Sequence, residues 1–343
     1  MDDTNIEYIS SLVTPQTLRD EFPLTPYMKT TICESRKIIS QILTGEDKRI
    51  LCIVGPCSIH NFEEAYEYAI KLNKFRQQFS DKIFIVMRTY FEKPRTTVGW
   101  KGFINDPDLN NSFNINKGLR LARKLLYKIT QLGIPCGTEI LDSITCQYLA
   151  DLLSWGSIGA RTVESQIHRQ ISSGCSFPVG FKNSSNGTVL TAINAVISSN
   201  HSHCFRGISL LGDPSICKTL GNKYSHVILR GSYENGPNYS RHSIEKHITP
   251  LKQLGTKIII DCSHGNSRKN YKNQSEVVYD ICDQLIRYPD NIICGIMLES
   301  NINPGKQKLV YNKVPEYGIS ITDGCVDLSE TEAILNKLHN SIL

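Results

Sequence analysis

Ile83-Phe84-Ile85-Val86-Met87-Arg88-Thr89-Tyr90-Phe91-Glu92-Lys93-Pro94-Arg95-Thr96-Thr97-Val98-Gly99-Trp100-Lys101-Gly102 sets the plan of this chain. Its apolar opening, Ile83 to Met87, predicts a buried strand. The strand stops at Arg88, and Lys93, Arg95 and Lys101 follow closely. Pro94, Gly99 and Gly102 predict an ordered loop in place of a helix. Four fixed cations past a strand end suit a polyanion, because arginine's planar fork binds phosphate and carboxylate bidentately. A solvated basic loop is the plain alternative.

The same unit, an apolar run and then a helical pattern, recurs on both sides of this stretch. Strands are predicted at Ile50 to Val54, Ile83 to Met87, Ile134 to Ile140, Ser157 to Ala160, Phe177 to Phe181, His226 to Leu229, Lys257 to Ile260 and Ile292 to Leu298. Helices are predicted over 30–43, 62–80, 116–132, 143–154, 188–198, 243–254, 275–287 and from Ser329 to about 342. Asn61 and Glu64 form a capping pair for the second of these, Ser275 is the cap of the seventh, and Ser329-Glu330-Thr331-Glu332 is a capping box for the last. The long segment 88–115 reads as a functional loop. Strands alternating with helices imply a parallel sheet, and eight of them close a (β/α)8 barrel, with an extra β element near 317–321. An open doubly wound sheet is the competitor, but it would carry a glycine-rich phosphate loop after the first strand, which Gly55-Pro56-Cys57 is not. Residues 1–45 read as an N-terminal arm and helix for subunit contacts, and 46–343 as the barrel.

The 343 residues suffice for one large domain, and 40 % apolar with 21 % charged residues is a globular composition. The net charge of +5 suits small anionic substrates and is too weak for nucleic acid. Met1-Asp2-Asp3 lacks the basic start of a signal peptide, and no apolar run approaches the ~18 residues of a membrane helix. The 12 cysteines include no Cys-x-x-Cys pair, and Cys52, Cys262, Cys282 and Cys294 sit in apolar runs. They read as cytosolic thiols, and the chain as cytoplasmic.

The predicted strands end at Cys57, Arg88, Glu139, Arg161, Lys182, Arg230, His264 and Glu299. In a barrel these ends meet at one mouth, where barrel enzymes keep their active sites. Arg88, Arg161, Lys182 and Arg230, with Lys93, would repel one another unless an anion neutralises them; a small phosphorylated carboxylate has that charge. Pairing with neighbouring acids is the simpler reading for any one of them. Cys57, His264, Glu299 and Asp323 combine thiolate, imidazole and carboxylate, a donor set for Mn, Fe, Co or Zn before Mg or Ca.

Several blocks also resemble the type I 3-deoxy-D-arabino-heptulosonate 7-phosphate synthases of enteric bacteria and yeast. They are Gly55-Pro56-Cys57-Ser58-Ile59-His60, Arg88 through Gly102, Gly159-Ala160-Arg161-Thr162-Val163-Glu164-Ser165-Gln166, Val179-Gly180-Phe181-Lys182-Asn183 and Ser320-Ile321-Thr322-Asp323. The resemblance implies a metal-dependent barrel that condenses phosphoenolpyruvate with erythrose 4-phosphate, the first step of aromatic amino-acid synthesis. It implies Cys57, His264, Glu299 and Asp323 as metal ligands. Arg88, Lys93, Arg161, Lys182 and Arg230 would hold phosphoenolpyruvate, and Arg95 and Thr96 the sugar phosphate. Lys93, Cys57 and His264 are the expected catalytic groups, with Lys93 handling protons.

Two positions depart from the family pattern: Cys262 stands where phenylalanine is expected, and Gly231-Ser232-Tyr233 replaces a glycine pair and lysine. Family members form dimers and tetramers and are inhibited by aromatic amino acids, which places an effector site at Asp142, Ser143, Gln147, Ile171, Ser176 and Phe205. Ser143 and Cys146 are small where phenylalanine-sensitive forms carry Met and Pro, which favours tryptophan; ordinary helix packing is the alternative. Two rival functions remain open. One is a related synthase using arabinose 5-phosphate, against which Lys93-Pro94-Arg95-Thr96 speaks. The other is a non-catalytic sensor on a retained barrel.

Overall fold

The computed structural model describes residues 2–288, 291–311 and 313–342. Among the described residues ten strands run in chain order: β1 Ile50–Gly55, β2 Ile83–Arg88, β3 Cys136–Glu139, β4 Trp155–Ile158, β5 Val179–Lys182, β6 Cys204–Ile208, β7 Pro214–Lys218, β8 His226–Leu229, β9 Ile258–Asp261 and β10 Ile293–Glu299. The α-helices are α1 Pro15–Glu21, α2 Pro26–Thr44, α3 Phe62–Gln78, α4 Ile115–Gln131, α5 Thr145–Leu149, α6 Gln166–Gly174, α7 Val189–Ser199, α8 Arg241–Glu245, α9 Ile248–Gln253, α10 Gln274–Arg287 and α11 Leu328–Asn340. Eight strands close a parallel barrel in the order β1-β10-β9-β8-β5-β4-β3-β2, and β6 and β7 form a separate antiparallel hairpin. The expected (β/α)8 architecture is the observed one.

Strand burial follows from this closure. Along β1, Leu51 and Ile53 face the barrel interior with Val86, Trp155, Ile228, Ile259 and Met297, while Cys52 and Val54 face the helices. Ile39, Ile42 and Leu43 of α2 join the interior cluster, so this helix plugs the floor of the barrel. Thr25 caps α2, Pro26 fits its first turn, and Gly45 ends it in a left-handed conformation. Leu18 of α1 and Met28 of α2 are fully buried against the body of the same chain, whereas Ile6, Tyr8, Ile9 and Leu12 ahead of α1 are exposed.

Several local expectations shift. β4 starts at Trp155, where pairing with β3 begins opposite Gly137, and ends at Ile158, the last residue paired with β5, opposite Phe181; the Trp155 indole turns inward and donates to His226 (3.2 Å). Arg161 therefore lies beyond a short turn. α6 and the β6–β7 hairpin were not foreseen: α6 is short and polar, and the hairpin residues are half-exposed with little apolar alternation. Asp327, not Ser329, caps α11, accepting from Glu330 N at 2.8 Å. Asn273, not Ser275, precedes α10. The segment near 317–321 contributes an isolated bridge, Lys306 with Ser320, beside bridges from Ser300 to Val326 and Gly305 to Cys325. Asn61 caps α3 as expected.

Candidate active site

The carboxyl ends of the barrel strands surround a cavity of about 920 Å³. Lys93, Arg95, Thr96, Arg161, Lys182 and Arg230 line it, as do His264 and Asp323. Arg88, Cys57 and Glu299 lie behind its floor with no exposed surface. The structure thus gathers the expected site residues in two tiers, a cavity wall and a buried layer beneath.

Local backbone explains the placement. Gly55 ends β1 so close to β2 that a Cβ there would meet the Arg88 carbonyl oxygen at 2.9 Å, and this approach brings Cys57 over the barrel. The β2 loop folds back on itself: Glu92 pairs with Gly102, and Lys93 N donates to Lys101 O (2.8 Å). Gly102 has φ +123°, and a side chain there would strike the Phe91 carbonyl. The fold-back directs Lys93 inward, where Nζ lies 3.3 Å from Cys57 Sγ and 3.2 Å from Cys57 O. Arg95 Nε donates to Trp100 O (2.7 Å), and Arg161 Nε donates to Thr96 Oγ1 (3.3 Å), which ties the loops after β2 and β4 together.

The donor atoms of Cys57, Glu299 and Asp323 lie within 4.8 Å of one another. His264 brings Nε2 to 3.8 Å from Glu299 Oε1. His264 itself sits at φ +56°, a conformation non-glycine residues adopt at a cost, held here by Lys269 N donating to its carbonyl (2.7 Å). Its Nδ1 lies 2.9 Å from Asp261 Oδ2, which leaves Nε2 turned toward the cluster. The structure therefore brings three of the four expected ligands together, a thiol and two carboxylates, with the His264 imidazole beside Glu299 but outside that closest group; this donor set suits a borderline divalent ion. Burial pushes the Cys57 thiol up to about 11, with Glu299 adding to the effect and Lys93 opposing it. Burial works against the Glu299 carboxylate too, but His264, Arg88 and Lys93 hold it at about 2. Ser263 Oγ donates to Glu299 Oε2 (2.8 Å), and Gln274 clasps the Glu299 backbone from both sides.

The strand-end cations are not all unpaired, which corrects the expectation of mutual repulsion. Arg88 bonds Glu299 (3.2 Å) and stacks over the Tyr90 ring at 3.9 Å. Lys182 bonds Asp261 (2.8 Å). Arg88 and Glu299 sit on strands flanking β1, and Lys182 and Asp261 on strands flanking β8, so closure of the barrel makes both pairs. Lys93, Arg161 and Arg230 have no carboxylate partner within 4.0 Å among the described residues. Burial lowers the Arg230 guanidinium, and nearby Asp261 offsets that only in part. Asp261 is the buried site residue that sequence reasoning missed; it ends an apolar run, and while His264 follows it by three residues, its other partner, Lys182, comes from a distant strand. Glu139 also reaches the cavity wall, 8 % exposed, and its Oε1 has no hydrogen-bond partner.

The departure at 231–236 is an ordered turn. Ser232 N donates to Gly236 O (2.9 Å), and Asn235 N donates to Ser232 Oγ (2.8 Å). Cys262 is fully buried in the core.

A second cavity of about 640 Å³ lies between α5, α6 and the β6–β7 hairpin. Ser143, Gln147, Ile171, Ser176 and Phe205 of the expected effector site line it. Asp142 does not; its Oδ1 accepts from Ile144 N (2.8 Å).

A family model described as the DAHP synthetase I family matches residues 23–336. The Phe-sensitive phospho-2-dehydro-3-deoxyheptonate aldolase of Escherichia coli K12 is 47 % identical, over 99 % of this chain and 97 % of its own length. The Trp-sensitive enzyme of the same strain is also 47 % identical, over 99 % of this chain and 98 % of its own. A solved phospho-2-dehydro-3-deoxyheptonate aldolase from Francisella tularensis SCHU S4 superposes with a TM-score of 0.95 at 49 % identity, covering 98 % of both chains.

Proposed function

The chain belongs to the DAHP synthetase I family, and we propose that it condenses phosphoenolpyruvate with D-erythrose 4-phosphate and water. The products are 3-deoxy-D-arabino-heptulosonate 7-phosphate and phosphate, in the first step of the shikimate pathway. The observation that carries this reading is one cavity with two chemistries: a wall of cations, several without a carboxylate partner among the described residues, over a thiol–carboxylate cluster with the His264 imidazole beside it. Lys93, Arg161, Lys182 and Arg230 hold the phosphate and carboxylate of phosphoenolpyruvate. Arg95 and Thr96 hold the sugar phosphate. Arg88, one layer down, fixes Glu299 and adds positive charge beneath the substrate.

Cys57, His264, Glu299 and Asp323 would hold a divalent ion, which supplies Lewis acidity toward the sugar's aldehyde oxygen. C3 of phosphoenolpyruvate attacks the aldehyde carbon, its π electrons forming the new carbon–carbon bond. The cation left at C2 takes up water, and phosphate departs by C–O cleavage. The cationic wall aligns the two substrates and stabilises the departing phosphate. Lys93, against Cys57 at the meeting point of both substrates, moves the proton of the developing alkoxide. Glu139, buried with an unpartnered oxygen at the wall, is placed to hold the incoming water.

The test is loss of phosphoenolpyruvate absorbance with erythrose 4-phosphate, in chelator-treated protein before and after Mn is restored. Metal-dependent loss is expected. Loss with arabinose 5-phosphate in its place would move the assignment to the related synthase. No loss with either sugar, in folded and metal-loaded protein, would overturn the enzymatic reading.

Regulation by an aromatic amino acid at the second cavity follows from the same reading. Tryptophan is favoured because Ser143 and Cys146 leave room for an indole, although the Phe- and Trp-sensitive relatives are equally similar to this chain. The exposed Ile6, Tyr8, Ile9 and Leu12 suit an arm that packs on a neighbouring subunit of a homodimer or homotetramer. The free thiols suit the cytoplasm. Titrating phenylalanine, tyrosine and tryptophan separately against rate decides the effector; absence of inhibition by all three would end this part of the proposal.

A further inference from the structure

One aromatic ring stands among the cations of the first cavity, and the proposed reaction gives it no part. Tyr90 lies just past the end of β2, with its side chain 1 % exposed. The Arg88 guanidinium lies over its ring, 3.9 Å from the centroid. The ammonium of Lys93 is 5.8 Å from the same centroid, and that of Lys182 is 6.0 Å from it. Among the described residues, each other ring that meets a cation meets only one. Both ends of Tyr90 are fixed. Its carbonyl accepts from Ile59 N at 2.8 Å, and its hydroxyl lies 2.7 Å from Ser157 Oγ on β4. The ring is therefore a plate held at two edges, not a side chain free to turn away.

Three cations gathered this closely repel one another. Arg88 has Glu299 as a partner and Lys182 has Asp261, while Lys93 has no carboxylate among the described residues. A third carboxylate here would complete the neutralisation, and it would also repel an incoming phosphate. An aromatic face attracts cations through its quadrupole and carries no net charge. It can hold the three cations together and leave their charge to an anion in the cavity. Lys93 and Lys182 line that cavity, whereas Tyr90 lies behind its wall, so the ring acts on a ligand only through the cations.

We propose that Tyr90 is a positioning residue for phosphoenolpyruvate: its ring sets the spacing of Lys93 and Lys182 on the cavity wall and of Arg88 beneath them. This rests on the reading of the cavity as the phosphoenolpyruvate site. Substrate affinity then depends on the electron density of a ring that the substrate does not touch.

The full-length, Mn-loaded protein is made with Tyr90 replaced by phenylalanine and by mono-, di- and trifluorophenylalanine. Each added fluorine weakens the negative face of the ring with little change in its shape. Phosphoenolpyruvate binding is read by calorimetry without sugar, and KM and kcat by loss of its absorbance with erythrose 4-phosphate. Tyr90→Phe keeps the ring and gives up the hydrogen bond to Ser157, so it should bind phosphoenolpyruvate within about threefold of the parent. Along the fluorinated series the logarithm of the dissociation constant should rise in step with fluorine number, to about tenfold for the trifluoro ring, the scale of one desolvated cation–π contact. KM for phosphoenolpyruvate should follow it, while kcat and KM for erythrose 4-phosphate hold steady. Tyr90→Leu, which removes the ring, should weaken phosphoenolpyruvate binding further than the trifluoro ring does, and Tyr90→Phe should restore it. Where Tyr90→Leu does not fold, the fluorinated series decides alone. A dissociation constant that stays flat along the series would overturn the proposal and leave the ring as core packing. A fall in kcat at unchanged phosphoenolpyruvate affinity would overturn it too. If the parent protein binds no phosphoenolpyruvate, the enzymatic reading falls and this proposal with it.

Discussion

Asp261→Asn should damage this protein in three measurable ways. The Asp261 carboxylate is fully buried, with Oδ2 at 2.8 Å from Lys182 Nζ and 2.9 Å from His264 Nδ1, and Oδ1 accepting from Ser263 N at 3.0 Å. Burial works against its charge, but His264 and Lys182 hold it well below the ordinary carboxylate range. The substitution removes that charge with almost no change in volume, so no cavity confuses the result. At an effective dielectric of ~20, the lost attraction to Lys182 is about 6 kcal/mol gross. Breaking a buried pair by removing one partner costs about 3–5 kcal/mol net. The asparagine oxygen still accepts from Lys182, which restores about 1 kcal/mol. A loss of roughly 2–4 kcal/mol of stability is therefore expected, read from a denaturant midpoint at unchanged slope.

The other two effects are local. His264 loses the partner that turns Nε2 toward Glu299, and loss of such an outer partner typically weakens metal affinity or activity by about 10–100-fold. Lys182 loses the anion that fixes it on the cavity wall, so the KM for phosphoenolpyruvate should rise even when metal is saturating. Metal titration, and rate against phosphoenolpyruvate at saturating Mn, separate the two. A variant within about 0.5 kcal/mol of the parent, with metal affinity and KM unchanged within twofold, would refute the reasoning, because a surface-like pair behaves that way. Orientation of His264 would then have to come from Ser263 and the Lys269 amide.

Three more predictions test other parts of the structure. Burial lifts Glu92 to about 8, against an ordinary 4.5, so the stability its neutral form contributes is complete below about pH 4 and is lost as pH rises to about 8; Glu92→Gln should remove that decline, worth a few kcal/mol over the window, and an identical pH profile of the melting temperature in both proteins would count against it. Ile42→Ala opens the barrel floor at a residue 1 % exposed and should cost about 2–5 kcal/mol in a urea melt; a loss below about 1 kcal/mol would mean α2 is not the plug. Lys93→Met keeps the side-chain stem and removes the ammonium beside Cys57, so the protein should fold and bind metal while kcat falls by about 100-fold or more; undiminished turnover with normal metal content would take Lys93 out of proton handling.

The barrel was legible because each strand is an apolar run bounded by a charged or turn residue, and each is followed by a helical pattern. Cys57, Glu299 and Asp323 stood out in the sequence as polar residues at strand ends and the last turn, and the structure brings their donor atoms together, with His264 beside Glu299. What could not be read was partnership. Glu299 reaches Arg88 only because β1 brings β10 and β2 to its two sides, and Lys182 meets Asp261 across β8. No local pattern encodes either contact. The β6–β7 hairpin escaped for the opposite reason: exposure alternates along both strands but no residue is fully buried, and the residue types do not follow it, with Ile216 on the outer face and Gly207 and Ser215 on the inner.

Those two ion pairs change which cations are available to a substrate. Side chains inside such a barrel come in layers drawn from alternate strands. Arg88 and Glu299 lie on one alternating set, and Glu139, Lys182 and Asp261 on the other. Each set therefore closes the apolar interior of Leu51, Ile53, Val86 and Ile259 with charges of both signs. Arg88 with Glu299 and Lys182 with Asp261 are held there as pairs, since an uncompensated buried charge costs several kcal/mol; Glu139, at the cavity wall, has no such partner among the described residues. The cations left without a carboxylate, Lys93, Arg161 and Arg230, follow strand ends rather than lie within strands. Removing Arg161 or Arg230 should therefore raise KM with little loss of stability, whereas removing Arg88 should unsettle Glu299 and the fold around it. The strand ends build the floor, and the residues just beyond them present the charge that a phosphorylated carboxylate meets.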